Sequence, residues 1–292
     1  MTYRINVPNK LNYSNIHSLI ISFEKYERLQ QANNHQIILD LSNLIRIDTE
    51  GLNYIALLPF HLKFINENIL IILPNDNDTI LFLEYTNLLK FLFDNFSIYG
   101  YKCIEDYFFL KKLIKADKTT KKVRVGLIKY ETFDYFLRNE LSNLEKIISH
   151  AQYSKYFCMC FYELSKNIFE HSGENIGSFA FHLYSKEKYE NDSLRLTISD
   201  IGVGLKKTIA PTFELPIDKP DSFYIEEAIK PGITSTKLDG RGLGLYQVIN
   251  FASEVQINSG NGQITVVDGV IKNSHNSNYS LKGTSLNIKV NL

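Results

Sequence analysis

Four short segments in the C-terminal part of the chain hold residue types that suit a phosphate-bearing ligand. In the first, Glu163-Leu-Ser-Lys-Asn167-Ile-Phe-Glu-His171, polar residues recur every four positions. On a helix that spacing stacks a carboxylate, an amide oxygen and an imidazole on one face. An amide oxygen is a hard ligand of the kind Mg²⁺ prefers while it keeps several waters and bridges phosphates. A carboxylate one turn earlier can orient or deprotonate a nucleophile beside a phosphoryl group. The helix itself is read from Phe157, Phe161, Leu164 and Ile168, an apolar stripe at helical spacing that predicts a buried face. Three polar residues on a helix are, taken alone, an ordinary solvated face, so the remaining segments decide.

The second segment, Asp200-Ile-Gly202-Val-Gly204, follows Leu194-Arg-Leu-Thr-Ile-Ser, whose alternation predicts a strand with one face buried. Asp200 then stands at a strand end, where its carboxylate can accept a hydrogen bond from an exocyclic amine such as adenine N6. Gly202 and Gly204 let the backbone turn sharply and pass close to a flat ring. The third segment, Gly240-Arg-Gly242-Leu243-Gly244-Leu, opens an apolar-periodic helix. Backbone N–H groups at such a start attract anions and suit a triphosphate. No Gly-Lys-Ser/Thr follows, which excludes a Walker A loop, and no strand directly precedes it, which argues against a dinucleotide fingerprint. The fourth, Gly283-Thr284, lies in an alternating stretch that reads as a terminal strand.

Four such segments in this order resemble the nucleotide site of the GHKL ATPases, the superfamily of gyrase and the histidine kinases. The resemblance implies an α/β sandwich with a mixed sheet over residues 123–292, binding ATP and Mg²⁺. It implies Asn167 as the Mg²⁺ ligand and Glu163 as general base or water-positioning residue. It implies Asp200 as the acceptor for adenine, with His171, Gly202, Gly204, Gly240, Gly242, Leu243, Gly244 and Thr284 completing the nucleotide site. The stretch from Leu205 to Leu238 has Pro211, Pro216, Pro220 and Pro231 and little periodicity, so it reads as a long loop, matching the ATP lid of that superfamily. Thr234, Ser235, Thr236 and Lys237 approach the glycine loop and read either as phosphate contacts or as a plain polar loop.

The first third alternates between strand and helix patterns. Ile37 to Leu41 and Ile69 to Pro74 read as buried strands, and Ile16 to Gln30, Gly51 to Phe64 and Thr79 to Phe93 as helices. This predicts a mainly parallel sheet with packed helices. The run from Ile38 to Leu52, with Asp48-Thr49-Glu50-Gly51 before the second helix, is similar to the core of a STAS domain, expected over residues 1–97. In that family the residue at Glu50 is usually a serine phosphorylated by a GHKL kinase. A Glu accepts no phosphoryl group, which points to recognition of a partner, with Glu50 in the contact surface and Thr49 unmodified.

Bulk properties fit two domains of ordinary size. Lys and Arg number 32 against 32 Asp and Glu, so no net field draws the chain to nucleic acid or acidic lipid. The basic run within 111–129, beside Tyr107, Phe108 and Phe109, reads as a solvated connector in a linker over 98–122; nucleic acid is not an expected partner. No apolar run approaches a membrane span and the N-terminus is not a signal peptide, so a cytoplasmic location is expected. Cys103, Cys158 and Cys160 read as reduced thiols. The function expected is a nucleotide-dependent switch acting on a protein partner, a homodimer being compatible with it. The alternative is a protein serine/threonine kinase of the anti-sigma-factor type acting on a separate partner.

Overall fold

The computed structural model describes residues 2–30, 36–61, 69–95, 97–99, 122–148, 151–184, 192–232 and 244–292. It is an α/β protein that divides into two compact units, Met1–Gly126 and Leu127–Leu292.

The first unit is built on a parallel sheet of order β1-β3-β5-β6. Its strands are β1 (Thr2–Asn6), β3 (Gln36–Asp40), β5 (Ile69–Ile72) and β6 (Ser97–Tyr99), all paired in parallel. A short parallel pair joins β2 (Lys10–Leu11) to β4 (Arg46–Ile47). The helices are α1 (Ile16–Gln30), α2 (Thr49–His61), α3 (Asn77–Tyr85) and α4 (Leu88–Asn95). The single helix expected from Thr79 to Phe93 is two. Thr86 ends α3, its hydroxyl bonds the Leu83 carbonyl and accepts from the Leu88 amide, and Asn87 turns the chain with φ of 72°. A left-handed residue breaks a helix where periodicity alone continues it, and Asn is among the few residues that adopt it readily.

Glu50 is not on a surface, as the sequence had suggested. It is 5% exposed and Thr49 only 1%, both in the first turn of α2. Asp48 Oδ1 accepts from the Glu50 and Gly51 amides at 3.0 and 2.9 Å and so caps that turn. A side chain at Gly51 would meet Ile47 and Leu11 within 3 Å, so only glycine lets the helix start here.

The second unit carries a sheet of order β10-β11-β9-β8-β7. Its strands are β7 (Val123–Lys129), which runs across the division between the units, β8 (Ile176–Tyr184), β9 (Ser193–Asp200), β10 (Glu254–Val267) and β11 (Val270–Asn291). The pairs β8–β9, β9–β11 and β10–β11 are antiparallel. Asp268 and Gly269, at φ of 49° and 73°, turn β10 into β11, the conformation a tight hairpin requires. Helices α5 (Phe133–Ile147), α6 (Ala151–His171) and α9 (Gly244–Phe251) contribute Leu144, Phe157, Phe161, Leu164, Ile168 and Val248 to a core shared with Phe179, Leu196, Ile198, Ile257 and Ile288 of the sheet. Phe161 meets Phe179 edge-on at 5.3 Å, an orientation aromatic rings favour. The predicted apolar stripe of α6 is therefore the buried one, and Glu163 and Asn167 are half-buried beside it. On β9, Thr197 and Ser199 are buried as well as the apolar residues, where simple alternation exposes them. Ser199 Oγ donates to Ser285 Oγ at 2.8 Å, so the hydroxyl keeps a partner when it leaves water.

The stretch from Leu205 is not a long irregular loop. Residues 205–232 hold two helices, α7 (Leu205–Thr212) and α8 (Asp221–Ala228). Ile209, Ala210, Tyr224 and Ala228 form a small core between them. Both are eight residues long, too short to show periodicity; Pro220 precedes α8, where a helix tolerates it, whereas Pro211 lies inside the last turn of α7 and removes one backbone donor there. No described helix is long and apolar enough to cross a membrane.

Candidate functional site

An open cleft, enclosing about 590 Å³ when the solvent at its mouth is counted, lies between α6, the start of α7, the end of β9 and the middle of β11. Asn167 and Ser172 come from α6 and the turn after it, Asp200 ends β9 and Gly204 follows it, Thr208 comes from α7, and Thr284 from β11. Leu164, Ile198, Leu245, Ile257 and Leu286 make the rest of the wall apolar. An apolar cleft with a few convergent polar groups is the usual form of a small-molecule site.

Asp200 ends β9 as the alternation predicts. Its Oδ1 accepts from the Gly202 amide at 2.8 Å. Burial pushes its carboxyl up to about 7, against the lowering effect of the Gly202 and Thr284 backbone N–H groups and with a small contribution from the Glu174 charge. Two close backbone approaches frame this carboxylate. A side chain at Gly202 would lie 2.1 Å from the Ser172 carbonyl oxygen, and the Val203 amide bonds that same oxygen at 2.9 Å. One at Gly283, where φ is 85°, would lie 2.1 Å from the Asp200 carbonyl oxygen. Glycine at both positions lets β11 and the α6 turn close on the strand end. The Gly-Thr pair, nearly silent as sequence, thus becomes part of the Asp200 pocket.

Glu163 lies one turn before Asn167 on α6, against the first residue of α9. A side chain at Gly244 would meet Glu163 Oε2 at 3.2 Å and its Cβ at 3.4 Å. The structure thus brings Asn167, Asp200, Gly204 and Thr284 into one cleft, sets Gly202 beneath it, and puts Glu163 beside Gly244. Gly240, Gly242 and Leu243, with Thr234 to Lys237, lie outside the described residues, as do the side chain of His171 and the basic run up to residue 121. Among the described residues no group of His, Cys, Asp and Glu could hold a metal unaided, so a cation here would depend on an amide or phosphate oxygen. Burial raises the Cys158 thiol to about 11 and the Cys160 thiol to about 12, and neither forms a disulfide. They are poor nucleophiles.

Sequence reading missed Ser172, Thr208 and Ser259. Thr208 Oγ1 bonds the Gly204 carbonyl at 2.8 Å, and Ser259 Oγ is 3.1 Å from Thr284 Oγ1. The Asp268-Gly269 pair between two alternating stretches is the signal that would have revealed the β10–β11 hairpin and brought Ser259 beside Thr284. No family model matches this chain and no curated protein is similar enough to lend it a function, so the residues themselves carry the reading.

Proposed function

We propose that the cleft is an ATP·Mg²⁺ site of the GHKL type and that the chain is a nucleotide-dependent switch acting on a protein partner. The observation that carries this reading is the closed end of the cleft. There Asp200, held by the Gly202 amide, shares one wall with Thr284, and two glycines bring their backbones onto it. A half-buried carboxylate in the wall of a largely apolar cleft is matched by a flat ring bearing an amine donor, as adenine is. The donor set fits the group. Asn167 would offer its amide oxygen to Mg²⁺, and the amides opening α9 would face phosphate oxygens. When bound, Mg²⁺ would neutralise charge on the phosphates. Glu163, beside that helix start, would orient or deprotonate a hydroxyl or water.

The first unit is read as STAS-like, on the support of its parallel β1-β3-β5-β6 sheet and the capped turn into α2. Thr49 is buried and Glu50 has no hydroxyl, which favours action on a separate partner over self-modification. Calorimetry on the full chain tests the nucleotide reading. ATP should bind in a Mg²⁺-dependent way and more tightly than GTP, whose six-position is a carbonyl acceptor facing the Asp200 acceptor. Equal affinity for the two would overturn it.

A further inference from the structure

One buried hydroxyl ties the base end of the cleft to the helix pair that follows it. Ser259 is 3% exposed and sits where the β10–β11 ladder breaks. Ser259 pairs with Thr284, but the next residue, Gly260, pairs with Leu281, so Lys282 and Gly283 are skipped on the partner strand. Gly260 has φ of 59° and Gly283 of 85°. Such a bulge bends the strand and re-aims a side chain. Here Ser259 Oγ comes within hydrogen-bond distance of three groups: the Leu205 amide at 2.9 Å, the Gly283 carbonyl at 3.2 Å and Thr284 Oγ1 at 3.1 Å.

A hydroxyl has one proton, and that constrains the set. Leu205 N–H must donate to Ser259. If Ser259 gives its proton to the Gly283 carbonyl, Thr284 donates to Ser259 and turns lone pairs to the cleft. If Ser259 gives it to Thr284, the Thr284 proton is left for a ligand. Leu205 is the first residue of α7, whose Gly204 cap supplies no side-chain acceptor, so Ser259 serves as the cap from another strand. The same bulge anchors the second helix: Asp221 Oδ2 accepts from the Asn261 amide at 2.9 Å, and Asn276 Oδ1 accepts from the Ser222 amide at 3.0 Å. A side chain at Gly262 would lie 2.5 Å from the Ser222 nitrogen, so the approach requires glycine.

We propose that Ser259 is a positioning residue that sets the hydrogen-bonding direction of Thr284 toward the base and locks the start of α7 to that choice, coupling the ligand in the cleft to the α7–α8 pair. The inference rests on the cleft being a base-binding site. The test combines hydrogen exchange with calorimetry on the full chain, for wild type, Ser259→Ala, Thr284→Val and the double variant. In nucleotide-free Ser259→Ala, exchange at the Leu205 amide should rise by about tenfold while the β9–β11 ladder stays protected. ATP affinity should fall about tenfold with a reduced ATP-over-GTP preference, and Thr284→Val should add little to that loss because the two hydroxyls act as one unit. Unchanged Leu205 protection, or fully additive losses, overturns the proposal. If wild type binds no adenine nucleotide, the ATP reading has failed and the coupling to the base falls with it; selective Leu205 deprotection would then show that only the cap stands. Should Ser259→Ala fail to fold, Ser259→Cys, with the same shape and weaker hydrogen bonding, is read in the same way.

Discussion

Replacing Asp200 by Asn should move stability and ligand affinity in opposite directions. The folded carboxyl titrates near 7, above its ordinary value of 3.8, because burial penalises the charge. A raised acid pKa contributes stability that is fully present below the unfolded value and lost as pH climbs through the folded one. The empty wild-type protein therefore gives up stability between about pH 4 and pH 7, and above that it carries a buried charge costing at most about 4 kcal/mol. Asn keeps the acceptor for the Gly202 amide and carries no charge. Urea denaturation at pH 8 should find the empty variant more stable than wild type by about 1–4 kcal/mol, with the gap closing toward pH 5. ATP binding should weaken by about 1.5–3 kcal/mol, since a charge-assisted bond is lost and the new amide presents a donor to a donor. Wild-type affinity should itself fall as pH drops from 8 to 6, as protonation removes the charge behind the acceptor and puts a donor on the carboxyl, while the variant stays nearly flat. ATP affinity equal in both proteins, or a wild-type affinity independent of pH over that range, would refute the assignment of Asp200 to the base.

Asn167→Ala should leave the fold intact, since Ala is the best helix former at a half-buried helical position, yet abolish the Mg²⁺ dependence of nucleotide binding; calorimetry with and without the metal reads this directly, and retained dependence would assign Asn167 to the helix surface alone. Incubation with labelled ATP should leave residues 1–97 unmodified, because Thr49 is 1% exposed within the first turn of α2; stoichiometric phosphate on Thr49 in peptide mass analysis would reverse this and make the first unit a self-modified switch.

Local pattern determined a large share of what the structure contains. The period-2 run before Asp200 placed that carboxylate at a strand end, and the stripe Phe157, Phe161, Leu164, Ile168 identified which face of α6 is buried, leaving Asn167 to the cleft. These are properties of neighbouring residues, which share one backbone period. The short helices α7 and α8 were illegible because eight residues give barely two turns, and their stability comes from packing Ile209 and Ala210 on Tyr224 and Ala228. The break at Asn87 depends on a single left-handed residue, and burial of Glu50 on how α2 seats over Leu11 and Ile47. What only the tertiary structure decided is the company that residues keep across strands. Gly283 touches Asp200 from 83 positions away, and Ser259 reaches Thr284 and Leu205 through a bulge in the ladder. No sequence period encodes a register shift, since it is set by which glycines let two backbones approach, and that is fixed only when the sheet closes.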